Sequence, residues 1–176
     1  MNRLVSGTVA GAAATVPMTW AMELMHRLLP AHERYPLPPR EVTEELTAKT
    51  NLDDRLNEAG HFWLSLASHF GYGAASGALY AGLLRDLPGR PVVKGTAYGL
   101  AVWAGSYLGL LPALDLLPPA TQHPPRRTAL MVAAHLVWGS ALGIFTDLLE
   151  RGQDGDNLRG WADPYTIPGG LGTGTS

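Results

Sequence analysis

Cysteine is absent from the chain. Disulfides and thiolate metal sites are therefore excluded, and the redox compartment leaves no mark on the sequence. Charge is scarce as well: 16% of the residues are charged, against roughly 25% in ordinary soluble domains. Neither sign dominates. The net charge is -2 and no basic stripe occurs, so the electrostatic footprint of a nucleic-acid binder is missing. No glycine-rich phosphate loop, nucleophile elbow or zinc-protease motif is found.

What remains is apolar. The 176 residues suit one domain, and 46% of them are hydrophobic. Mean hydropathy is near zero because a polar loop from Pro30 to Gly60 and a polar tail after Leu149 offset the apolar runs. The run from Phe62 to Leu84 holds no charged residue, and its length is that of a membrane span. Three more stretches qualify, so spans are expected at about 4–29, 61–84, 92–111 and 128–149. A cleaved signal peptide is the competing reading of the first, and the three spans that follow argue against it. Many glycines fall inside these runs. There they allow close helix packing, which lipid does not otherwise drive.

Two of the runs share a motif. His69, Tyr72, Gly73 and Gly77 recur as His135, Trp138, Gly139 and Gly143. Gly7-Thr8-Val9-Ala10-Gly11 likewise resembles Gly95-Thr96-Ala97-Tyr98-Gly99. The expected fold is all-α: a four-helix transmembrane bundle built from a duplicated two-helix hairpin, both copies entering the membrane in one orientation. The first long loop begins with the stiff Pro36-Leu37-Pro38-Pro39 piece. It continues as a short amphipathic helix within Glu41 to Glu58, its stripe formed by Val42, Leu46, Leu52 and Leu56, on the membrane surface or across the bundle mouth. Glu150-Arg151-Gly152 is expected to end the last helix, and residues 151–176 form a polar tail that reads as disordered. Positive charge is nearly balanced between the two sides. The short second loop, with Arg85, Arg90 and Lys94, favours cytoplasmic termini.

Topology places all six histidines in the half of the protein opposite the termini. His69 and His135 lie about eight residues inside their helices, roughly 12 Å deep, and Glu23 lies roughly 9 Å from its end of span one. Tyr107 belongs to the same layer, so Glu23, His69, Tyr107 and His135 are the candidate polar site. Gly73, Gly77, Gly139 and Gly143 are read as packing positions. Four functions fit this layer. The first is interhelical hydrogen bonding by the histidines. The second is a proton or ligand site. The third is a metal or b-type haem held by His69 and His135, with His26 as a further ligand from Glu23-Leu24-Met25-His26. The fourth is an accessory subunit whose small-residue faces bind other membrane proteins or a second copy. Met18, Met22 and Met25 could hold Cu(I) with His26, but a methionine stripe reads first as core packing.

Pro36-Leu37-Pro38-Pro39-Arg40 and His135-Leu136-Val137-Trp138, leading into a final helix and a charged tail, resemble the YagU-like family of bacterial inner-membrane proteins. The resemblance covers the first loop, the His motif of span two and span four. It implies an inner-membrane location and, through the acid tolerance associated with that family, lends weight to a proton-linked role. It transfers no functional residue. The expectation is thus a small integral membrane protein, a structural or accessory subunit with a polar His/Glu layer and no catalytic residues. A proton-linked protein and a bis-His haem or metal protein are the alternatives. The lipid bilayer is the expected partner, and no cofactor is the first expectation.

Overall fold

The computed structural model describes the backbone of residues 2–161 and the side chains of residues 2–152. It is helical, with no strand among the described residues. Helix α1 runs Arg3–Arg27, capped by the Asn2 side chain, which accepts the Leu4 N–H. Helix α2, Pro38–Lys49, opens with prolines that need no N–H in a first turn. Helix α3, Glu58–Leu83, is capped by Asn57, which accepts the Gly60 N–H at 2.8 Å. Helix α4, Pro91–Ala104, passes into a π-helical stretch, Gly105–Leu110, and a last turn α5, Leu111–Ala113. Helix α6 is the longest, Pro125–Trp161.

Helix α1 packs along α3, α4 packs along α6, and the two pairs meet through α1 and α6. The glycines explain how closely each pair approaches. A Cβ at Gly7 or Gly11 would overlap the backbone of Gly77 or Gly73, and a Cβ at Gly95 or Gly99 would overlap the backbone at Gly139 or His135. Both pairs are therefore antiparallel, with backbone against backbone. By contrast α3 and α4 hardly touch. Tyrosines bridge this seam: Tyr72 and Ser106 share a hydrogen bond of 2.8 Å, and Tyr98 Oη–H donates to the Ser76 carbonyl at 2.8 Å.

The contacts within each helix pair are made by small residues, while Tyr80, Tyr107, Met131, Trp138 and Leu142 fill the rest of the interior. Helix α1 buries Ser6, Gly7, Ala10, Gly11, Ala14, Thr15, Met18 and Met22, while Val9, Val16, Trp20 and Leu24 of the same helix are exposed. Phe62, Trp63, Leu79 and Leu83 of α3 and Ile144 and Leu148 of α6 also face outward.

Several expectations change here. Of the four expected spans, one helical segment, Pro125–Gly152, is long and apolar enough to cross a membrane by length and composition. Polar residues and glycine dilute α1 and α3, and α4 is only 14 residues long before the π-helical stretch. The last helix does not stop at Gly152 but continues to Trp161. A glycine costs about 1 kcal/mol in a helix without ending it, and the next proline is Pro164. The rest of the tail lies outside the described residues. The amphipathic helix is shorter than the expected stretch, and its buried residues are Pro38, Thr43 and Thr47. Leu46 and Leu52, assigned to its apolar stripe, are exposed.

Candidate functional site

Between the two helix pairs lies a cavity of about 230 Å³. Helix α1 contributes Thr15, Met18 and Met22. Helix α3 contributes Ser68, His69, Tyr72 and Gly73. The π-helical stretch contributes Ser106 and Tyr107, and α6 contributes Met131, His135 and Trp138. Pro38, Pro39, Val42 and Thr43 of α2 lie over its mouth. None of the lining residues carries a formal charge at neutral pH once the histidines are neutral.

The polar groups have distinct states. His135 Nδ1–H donates to the Met131 carbonyl at 2.8 Å, which leaves Nε2 of the neutral ring as an acceptor. Tyr107 packs edge-on against His135, with ring centroids 5.9 Å apart, and its hydroxyl donates to the Met131 sulfur at 3.5 Å. Trp138 Nε1–H donates to the Gly11 carbonyl at 3.3 Å, tying α6 to α1. His69 Nε2 is buried and has no hydrogen-bond partner.

His69, Tyr107 and His135 are thus brought together. Glu23 is not. It is exposed and pairs with Arg27 at 2.9 Å, while its neighbour Met22 enters the cavity. The layer therefore has no carboxylate from α1. His26 also stands apart, with Nε2–H donating to the Tyr35 carbonyl at 2.7 Å, so Glu23 and His26 do not converge as a metal pair. No group of three or more histidine or carboxylate side chains that could hold a metal occurs among the described residues. A porphyrin has four pyrrole rings. A cavity of this volume is nearer the roughly 150 Å³ that holds one benzene. Met18 and Met22 line the cavity as packing groups.

A cluster beside the mouth was not singled out from sequence. Arg127 of α6 is buried, pairs with Glu41 of α2, and lies 4.4 Å from the centre of the Tyr35 ring. Burial pushes the Tyr35 phenol up, and Arg127 opposes that shift. Burial and then Arg127 push His123 down, offset by Glu41 and by the hydrogen bond to the Pro118 backbone. Arg40 adds bonds to Glu44 at 2.6 Å and Glu58 at 3.0 Å, and Lys49 reaches Asp115 at 3.2 Å. Ion pairs thus hold α2 on three sides. Adjacent arginines at a helix start, facing an acidic loop helix, were the signal available for this cluster.

The family model described as protein of unknown function (DUF1440) matches residues 12–144. The chain belongs to this family. The DUF1440 match takes in every residue that lines the cavity, and it is consistent with the YagU-like resemblance. No curated protein and no solved structure matches the chain.

Proposed function

We propose that this DUF1440 protein is a small multi-pass protein of the bacterial inner membrane. In this reading α1, α3, α4 with its π-helical continuation, and α6 all cross the bilayer, with both termini cytoplasmic. The observation that carries it is an exterior rich in large apolar side chains around helices that touch backbone to backbone at glycines. Glycines make the contacts within each helix pair, and many Leu, Val, Phe and Trp side chains are exposed on the exterior. In water that arrangement wastes the hydrophobic effect, whereas in lipid it allows close backbone packing at no cost outside. Helices α1 and α3, with 25 and 26 residues, would reach about 38 Å at 1.5 Å per residue, enough for a hydrocarbon core of about 30 Å. The shared glycine contacts of the α1–α3 and α4–α6 pairs support a duplicated hairpin.

Its role in that membrane is that of an accessory or ligand-holding subunit. The cavity supports the ligand-holding role, because its lining combines histidine, tyrosine and serine side chains with apolar ones.

The absence of cysteine makes the topology directly testable. Single substitutions Ala31→Cys and Thr121→Cys should react with an impermeant maleimide from one side of the membrane. Leu87→Cys and Gly152→Cys should react from the other, and the chain should stay with the membrane in an alkaline wash. Labelling of all four from one side, or release by the wash, would reject the four-span reading.

A further inference from the structure

We infer that the cavity between the helix pairs is a binding site for a neutral, hydroxyl-bearing aromatic amphiphile, with a head about one ring in size, that enters sideways through the α3–α4 seam. The inference rests on the membrane reading, because the seam then opens into lipid.

The lining sets the charge of the ligand. Histidine, tyrosine, serine, threonine, methionine and aliphatic side chains face the space, and no acidic residue, lysine or arginine does. Arg127, the buried cation beside the mouth, is already paired with Glu41. An ionised head would enter such a space without a counter-charge, at the cost of its own desolvation.

Size follows from the volume. A dry cavity of roughly 150 Å³ accepts benzene, so about 230 Å³ accepts a substituted ring. The rings of Tyr72, Tyr107 and Trp138 border the space and offer faces and edges for stacking.

The hydroxyl follows from the histidines. His135 is held as an acceptor at Nε2 by its bond to Met131. His69 Nε2 is buried and unpartnered, and a buried polar atom in that state is costly until something satisfies it. A hydroxyl both donates and accepts, so it can answer one imidazole or both.

The route follows from the seam. Helices α3 and α4 are held apart there, and the Tyr72–Ser106 hydrogen bond of 2.8 Å spans the gap beside the cavity. Tyr72 and Leu110 line the cavity and are 46% and 48% exposed. The chain of an amphiphile can therefore leave between them while its head stays inside. The wall at this point is π-helical, a distortion that occurs frequently at functional sites.

The test uses the full chain in lipid nanodiscs with radiolabelled para-hexylphenol, scored against empty nanodiscs. One saturable site per chain is expected. His69→Leu should weaken it about tenfold through the lost hydrogen bond, while binding of hexylbenzene stays unchanged. Val102→Phe, which fills the cavity from α4, should abolish binding of both, and para-hexylbenzoate should not bind. Equal affinity in wild type and His69→Leu would overturn the proposal, as would uptake no greater than in empty nanodiscs. Either result with a chain that still resists the alkaline wash removes the ligand site alone. Release by the wash removes the membrane reading beneath it.

Discussion

Met22 and Glu23 are adjacent in sequence, yet one lines the cavity and the other pairs with Arg27 outside. A single residue turns a helix by about 100°, so depth along α1 was legible while its facing direction was not. That direction is set by Gly7 and Gly11, which press α1 against Gly73 and Gly77. The glycines therefore divide into two kinds. Gly77→Ala places a methyl group against the Gly7 carbonyl and the Gly11 backbone and should cost about 1–3 kcal/mol through overpacking. Gly71→Ala meets nothing within 4 Å and should be neutral or gain up to about 1 kcal/mol in helix propensity. Unfolding in mixed micelles measures both, and equal effects would refute the distinction. His123 carries the pH prediction. Its pKa is lowered in the folded chain, first by burial and then by Arg127. The neutral ring is therefore favoured by folding. Its contribution is fully present above the unfolded value of about 6.5 and is lost as pH falls through the folded value. His123→Gln should accordingly lose less stability than wild type between about pH 7 and about pH 5. Superimposable acid curves would count against it.

At the scale of elements, α2 departs most from expectation. The stripe of Val42, Leu46, Leu52 and Leu56 fits helical turns only loosely; Leu52 and Leu56 lie beyond the end of α2, Leu46 is exposed, and Thr43 and Thr47 are buried. Threonine suits this position because each hydroxyl returns to a carbonyl one turn earlier, Thr43 to Pro39 and Thr47 to Glu44. Salt bridges then hold the helix where an apolar stripe would have been expected to do so. Glu41→Gln leaves the buried Arg127 without its counter-charge and should cost about 2–3 kcal/mol. It should also speed amide exchange at Thr43 and Thr47. The paired change Glu41→Met with Arg127→Met should recover much of the loss, since two apolar groups replace a desolvated ion pair. Unchanged exchange in Glu41→Gln would show that α2 is held by other means.

For the whole molecule, the decisive relation is between the two helix pairs. Each pair closes on glycine, but the pairs join through α1 and α6 while α3 and α4 stand apart. That asymmetry creates the cavity. A bundle closed evenly on all sides would have filled the space beside His69 with side chains. The proposed topology belongs to this scale too, because an even number of crossings puts α2 and the α5–α6 loop on one side. The paired labelling of Ala31→Cys and Thr121→Cys tests that relation directly.

The existence of the helices, the limits of α1 and α3 and the glycine motifs were determined by sequence alone, because periodicity, caps and prolines act over a few residues. That His69 and His135 lie at matched positions within their helices followed from the same local counting. Only the tertiary structure decided which side chains share a space: it joined His69, Tyr107 and His135, sent Glu23 outward and laid α2 over the mouth. The physical reason is that helix rotation and the open seam arise from backbone contacts between residues far apart in the chain, such as Gly11 with Gly73 and Gly99 with His135. No local pattern encodes those contacts by itself.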